Sequence, residues 1–186
     1  MNVQSKMPAT ADEFLRWNEG REGRREFVRG KVVEMMINVT RAHARLAFRL
    51  SMQLGRQLDP SRYDIGAGEF AVRTKDGIRF PDVYVDRAFD TLQDLAAREP
   101  LFVAEILSSS SYIKDFGEKV ADYTGLSTLR YYLVLSQDEP RLWLWSRDAA
   151  GAWTGPAQIA GRGEVVVLGD LDVSIDVGEL YSGIEN

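Results

Sequence analysis

Two acids stand against the hydrophobic pattern of this chain. Asp82 falls within Arg79-Phe80-Pro81-Asp82-Val83-Tyr84-Val85, and Glu105 within the nearly all-apolar run Leu101-Phe102-Val103-Ala104-Glu105-Ile106-Leu107. A carboxylate inside a central strand must be paired, hydrogen-bonded or metal-bound, because desolvating it alone costs several kcal/mol. Two such acids on neighbouring strands could bind Mg2+, which takes oxygen ligands from one or two carboxylates and leaves the rest to water and substrate phosphate. Each acid could equally pair with an arginine or cap a loop, and spacing alone leaves that choice open.

Three further residues could join them. Lys119 lies at the edge of a stripe formed by Phe116, Val120 and Tyr123, where it can point toward a sheet and orient a water or offset charge on phosphate. It can also make a surface ion pair with Asp115 four residues back. Glu26 precedes Phe27 and Val28 and is either a third acid or a solvent-facing strand residue. His43 is the one histidine, and with no cysteine in the chain a zinc site of the usual kind is excluded. Arg41, Arg45 and Lys114 are candidate phosphate contacts. The glycines form no phosphate-binding or dinucleotide fingerprint. A Ser-His-Asp triad can be drawn from Ser108 to Ser111 and His43, but no nucleophile-elbow pattern supports it.

These residues need a scaffold, and the chain is long enough to build one. Its 186 residues fit a single domain with a core of about 11–175. Net charge is −5, which argues against a protein that coats nucleic acid non-specifically but leaves room for a local basic rim. The first residues lack the pattern of a secretory signal and no apolar run spans a bilayer, so the expectation is a soluble cytoplasmic protein with no membrane partner. Absence of cysteine is compatible with a reducing compartment.

Thr10 with Glu13 marks the start of an N-terminal helix. Glu26 to Met35 reads as a β-hairpin turning near Gly30. Thr40 caps a long helix to about Leu58, with Leu46, Leu50 and Leu54 at helical spacing. Strands are expected at about 63–73 and 78–85 around the turn Lys75-Asp76-Gly77, then at 101–107 as a central strand buried on both faces. Asp115 to Thr124 reads as a helix stopped by Gly125. Strands at 131–135 and 141–147 pair across a turn, strands near 165–168 and 171–175 finish the sheet, and a short helix covers 177–181. Edge strands and the Trp143–Trp145 hairpin offer surfaces for a homodimer. The order is that of an α/β (α+β) fold, a central mixed sheet flanked by helices.

The order of segments resembles the putative restriction endonuclease family of the PD-(D/E)XK nuclease superfamily. The matching pieces are Glu26 to Met35, His43 opening a helix, Phe80-Pro81-Asp82-Val83, Val103-Ala104-Glu105-Ile106-Leu107-Ser108, Asp115-Phe116-Gly117-Glu118-Lys119 through Tyr123, and Leu129-Arg130-Tyr131-Tyr132-Leu133-Val134. They cover roughly Ala11 to Trp145. The resemblance implies a restriction-endonuclease-like fold in which Asp82 and Glu105 bind Mg2+ or Mn2+. The superfamily's usual lysine, two residues after the Glu, is Leu107 here. The family is similar in taking that lysine from the next helix, where Lys119 matches. Glu26 matches the first acidic position and His43 a recurrent histidine. One departure is Ser109, where the family usually carries a proline. The implied activity is metal-dependent endonuclease hydrolysis of nucleic acid, DNA foremost, with Lys119 positioning the attacking water and Glu26 holding a second ion or an outer water. A catalytically silent nuclease fold that binds a partner is the other reading.

Overall fold

The computed structural model describes residues 6–35, 38–89, 91–107 and 112–184, with the backbone alone for 112–116. Helix α1 (Ala11–Asn18) begins at the expected cap, Thr10, whose Oγ1 accepts the Glu13 N–H at 3.2 Å, while Glu13 Oε2 reaches one residue beyond the cap to accept the Ala9 N–H at 2.8 Å. Its buried Phe14 stacks on Phe27 of β1 (Arg24–Val28), which turns at Arg29-Gly30 into β2 (Lys31–Met35). Helix α2 (Arg41–Gly55) is capped by Thr40, whose hydroxyl accepts the His43 N–H at 3.1 Å. It ends three residues before the expected Leu58, in a turn where the Leu58 N–H still bonds the Leu54 carbonyl.

Two expected strands are each split. The stretch 63–73 divides into β3 (Tyr63–Gly66) and β4 (Ala71–Thr74). The stretch 78–85 divides into β5 (Gly77–Arg79) and β6 (Val83–Arg87), interrupted at Phe80-Pro81-Asp82. The cause is that the halves serve different sheets, and Pro81 has no N–H to give to a ladder. β4 and β5 join β1, β2 and the short β7 (Ala96–Ala97) in a five-stranded sheet ordered β2-β1-β5-β4-β7. β3 and β6 join β8 (Phe102–Leu107), β9 (Tyr131–Ser136), β10 (Arg141–Arg147) and β11 (Trp153–Ala160) in a six-stranded mixed sheet ordered β11-β10-β9-β8-β6-β3. Strand β11 has no counterpart among the expected elements. Gly77 is where β5 passes closest to β1: a Cβ there would meet the Phe27 carbonyl oxygen at 1.9 Å, so only glycine fits.

Helix α3 (Tyr112–Thr124) starts a turn earlier than the expected Asp115 and stops at Gly125 as expected. The last strands do not finish the large sheet. β12 (Val165–Leu168) and β13 (Val173–Asp176) pair with each other and precede α4 (Val177–Leu180). Their ribbon docks on α2 through two glutamines one helical turn apart, which act as a substitute strand. Gln53 Nε2 donates to the Asp176 carbonyl while its Oε1 accepts the Asp176 N–H, and Gln57 repeats the pattern on Ser174. The Trp143–Trp145 hairpin is not a free apolar surface either, because Trp145 is buried and stacks on Tyr132 with ring centroids 5.2 Å apart.

Strand β8 is buried on both faces, as its apolar run required, and its alternation divides the core. Phe102, Ala104 and Ile106 face a cluster with Leu46, Leu50 and Leu54 of α2. Val103 and Leu107 face the opposite cluster with Tyr123 of α3, Tyr132 and Val134. Glu105 shares the parity of Val103 and Leu107, so the strand delivers it to the α3 side. Among the described residues, no helix is long and apolar enough to cross a membrane.

Candidate functional site

The acids meet where the two sheets join. On β1 and β5, Phe27 and Ile78 are cross-strand partners facing α1. The residues of opposite parity, Glu26 and Arg79, therefore face the other way and lie side by side: Arg79 Nη1 donates to Glu26 Oε2 at 2.6 Å, with both side chains buried. Three residues later the chain crosses to the second sheet and places Asp82 just before β6. The β6–β8 ladder ends at Val83 opposite Ala104. The next N–H of β8 on that side, from Ile106, is taken by Asp82 Oδ2 at 2.8 Å. The carboxylate thus gives this N–H an acceptor beyond the end of the ladder, while the Pro81 carbonyl accepts the Gly68 N–H at 3.2 Å. The same oxygen lies 3.0 Å from His43 Nε2, which reaches it from the first turn of α2.

Glu105 is gripped from α3 by two residues one turn apart. Lys119 Nζ lies 2.9 Å from Oε2, and the Tyr123 hydroxyl donates to Oε1 at 2.8 Å. Between them on the helix, Asp122 Oδ2 accepts from Arg79 Nε at 3.0 Å and Nη2 at 2.6 Å. Helix α3 therefore binds both the six-stranded sheet through Glu105 and the five-stranded sheet through Arg79.

The electrostatics follow from burial and an excess of acid. Glu26, Asp82, Glu105 and Asp122 are gathered around two permanent cations, Arg79 and Lys119. Burial, joined by the charges of Asp82 and Glu26 and opposed by Lys119, pushes the Glu105 carboxyl up to about 7. Burial also works to raise Asp82, but the His43 hydrogen bond and field, the Ile106 N–H and Lys119 outweigh it and hold Asp82 below the ordinary value. Burial would lower the Lys119 ammonium, yet Glu105, Glu26 and Asp82 together keep it above its ordinary value. Burial and the neighbouring Glu105 push the Tyr123 phenol well up, so its proton stays available to donate. The surroundings thus favour the charged forms of Asp82 and Lys119 and shift Glu105 toward its neutral form.

The structure thus brings together Glu26, His43, Asp82, Glu105 and Lys119. Of the candidate phosphate contacts, Arg41 is exposed in the first turn of α2 and Arg45 donates to the Gly183 carbonyl at 3.3 Å. The side chains of Lys114 and Asp115, and the serines 108–111 of the alternative triad, lie outside the described residues. His43 is held by Asp82. Arg79, Asp122 and Tyr123 are the members that sequence reasoning missed. A signal existed for two of them: Asp122 and Tyr123 stand three and four residues after Lys119, on the same face of a helix.

Among the described residues, no three His, Cys, Asp or Glu side chains are gathered closely enough to hold an ion by themselves. The donor set is one of oxygens, and Asp82 Oδ1 accepts no hydrogen bond among the described residues, so the pair Asp82 and Glu105 fits a hard divalent cation completed by water and phosphate oxygens.

The family described as Putative restriction endonuclease matches residues 11–176. An uncharacterized protein of Synechocystis sp. is 27% identical over 142 residues, covering 74% of this chain and 80% of that protein. A second uncharacterized protein of the same organism is 26% identical over 177 residues, covering 93% and 91%. The crystal structure of a putative nuclease from Anabaena variabilis superposes with a TM-score of 0.73 at 16% identity, covering 94% of this chain and 98% of that one, and so shares its fold.

Proposed function

The chain belongs to the Putative restriction endonuclease family, and from that membership and the grouping of its buried acids we propose that it is a nuclease that hydrolyses phosphodiester bonds of DNA, with Mg2+ or Mn2+ held by Asp82 and Glu105. The observation that carries this reading is the salt bridge of Lys119 to Glu105, formed beside Asp82 in a buried site whose acids exceed its permanent cations. A divalent ion bound there would supply Lewis acidity to a phosphate and acidify neighbouring water.

The chain's own residues have distinct tasks in this reading. Asp82, ionised and pinned through Oδ2 by the Ile106 N–H and His43, presents its other oxygen in a fixed place. His43 acts through Asp82 as a positioning residue, the kind of outer partner that orients a ligating carboxylate. Lys119, charged and anchored on Glu105, orients the attacking water and offsets the negative charge that grows on the phosphate. Tyr123 holds the other oxygen of Glu105, so the carboxylate cannot rotate away. Glu26 is held by Arg79 and the Phe80 N–H, which leaves it to shape the field at Glu105 and Lys119.

Supercoiled plasmid incubated with Mg2+ or Mn2+ tests the reading. Wild type should nick or linearise the DNA, Asp82→Ala should not, and chelation should stop the reaction. Identical behaviour of wild type and Asp82→Ala removes catalysis from this site. One observation favours the silent alternative: both Glu105 oxygens already have partners within the chain. A silent scaffold would show no Mn2+ binding by calorimetry that Glu105→Ala abolishes.

A further inference from the structure

One buried cation beside the acids has no part in the hydrolysis described above. Arg79 is 6 % exposed and is fully committed: Nη1 to Glu26 on β1, Nε and Nη2 to Asp122 on α3. Burial would lower its affinity for a proton, but Glu26 and Asp122 more than reverse this. Glu26 is 2 % exposed and, among the described residues, its other oxygen accepts only the Phe80 N–H, at 3.4 Å. Its charge therefore depends on Arg79. The next buried cation in its field is Lys119, which already feels Glu26 as well as Glu105.

We propose that Arg79, tethered to α3 by Asp122, is a positioning residue that occupies Glu26 and thereby reserves Lys119 for Glu105. The inference rests on the nuclease reading for its kinetic consequence, but its structural content stands apart from it. The physical argument is a competition. Two buried carboxylates sit on neighbouring cations, Glu26 on Arg79 at 2.6 Å and Glu105 on Lys119 at 2.9 Å, and a lysine on its four-carbon stem can turn where a guanidinium fork cannot. An ionised carboxylate at 2 % exposure cannot go without a counter-charge. A guanidinium resolves the competition because its rigid fork spans two acids at once, with one edge on Asp122 and the remaining nitrogen on Glu26. Asp122 in turn fixes the fork relative to α3, the helix that carries Lys119. One residue on the five-stranded sheet thus decides which acid on either sheet receives the lysine.

A double-mutant cycle between Arg79→Met and Glu26→Gln tests this, with two readouts on the full chain. The first is the 15N resonance of the Lys119 ammonium in metal-free protein. It should shift in Arg79→Met and return close to its wild-type position in Arg79→Met/Glu26→Gln. The second is plasmid cleavage at saturating Mn2+, well below the melting temperature of every variant. Arg79→Met should lower kcat at least tenfold with Glu26 present and less than threefold in the Glu26→Gln background, with KM changed by less than threefold throughout. Equal losses in the two backgrounds, or a Lys119 resonance that does not move, would overturn the proposal. Should Arg79→Met not fold, Asp122→Asn replaces it in the same cycle. That variant loosens the fork from α3, and a loss of about threefold confined to the Glu26 background is then expected. If wild type fails to cleave plasmid, the nuclease reading falls, and the Lys119 resonance alone decides this one.

Discussion

Lys119 and Glu105 meet at 2.9 Å, a helix residue on a strand residue fourteen positions before it, with both side chains buried. The lysine reaches the acid from across the layer, and the strand position two residues after Glu105 is left to Leu107, which packs in the core. A buried ammonium salt-bridged to the proposed metal ligand couples the two residues energetically. Substituting Lys119 by Met should therefore abolish more than a contact. Turnover should fall on the order of 10²-fold or more, as for loss of a preorganised charge-stabilising group. The melting temperature should change far less, because Glu105 can take up a proton once the ammonium is gone. Single-turnover plasmid cleavage and a thermal melt measured together check both parts.

The His43–Asp82 contact predicts a milder effect. His43→Ala should leave Asp82 its Ile106 N–H but free its carboxylate to rotate. Loss of such an outer partner typically costs 10- to 100-fold in metal affinity or activity. Mn2+ titration of His43→Ala by calorimetry should show a weakened site, against an absent one in Asp82→Ala. An affinity equal to wild type would mean that the imidazole does not hold the acid.

Tyr123→Phe removes one hydroxyl from a fully buried carboxylate and nothing else. An unsatisfied buried oxygen costs about 1–3 kcal/mol, so urea denaturation should show a loss of that size. Activity should drop less than in Lys119→Met, because the ammonium remains. A variant as stable as wild type would show that the phenol contributes nothing to holding Glu105.

The pH dependence has a definite sign. Glu105 has a folded-state value of about 7, above its ordinary value of 4.5. The native state therefore binds a proton more tightly than the unfolded chain. Its contribution to stability is complete below about pH 4.5 and is lost as pH rises through about 7, at no more than about 1.4 kcal/mol per pH unit for one proton. Glu105→Gln has no such proton to lose. Wild-type stability minus that of Glu105→Gln, measured by denaturant in metal-free buffer, should thus decline between pH 4.5 and 7. A flat or rising difference would contradict the assigned burial and field.

Much of this was readable from the chain before any coordinates. Glu105 was conspicuous because an apolar run tolerates no unpartnered acid, and its parity with Val103 and Leu107 set its face. Thr10 and Thr40 fixed two helix starts because capping is a local interaction. The break at Pro81-Asp82 was harder, since a run such as Ile78 to Val85 looks continuous until one knows that its halves pair in different sheets. The β12–β13 ribbon was misjudged for a similar reason: which strand a strand pairs with is a long-range fact, here decided by Gln53 and Gln57. Arg79 escaped notice because it resembles any strand arginine. Its meaning appears only when β1, β5 and α3 bring Glu26 and Asp122 to the two edges of its guanidinium.

The central claim is that Asp82 and Glu105 together hold a divalent cation. The most direct measurement is a crystal structure of the protein soaked in Mn2+, read by anomalous scattering at the manganese edge. The account predicts one anomalous peak between the Asp82 and Glu105 carboxylates, absent from crystals of Asp82→Ala. Well-ordered wild-type crystals with no peak there, or with a peak that persists in Asp82→Ala, would contradict it.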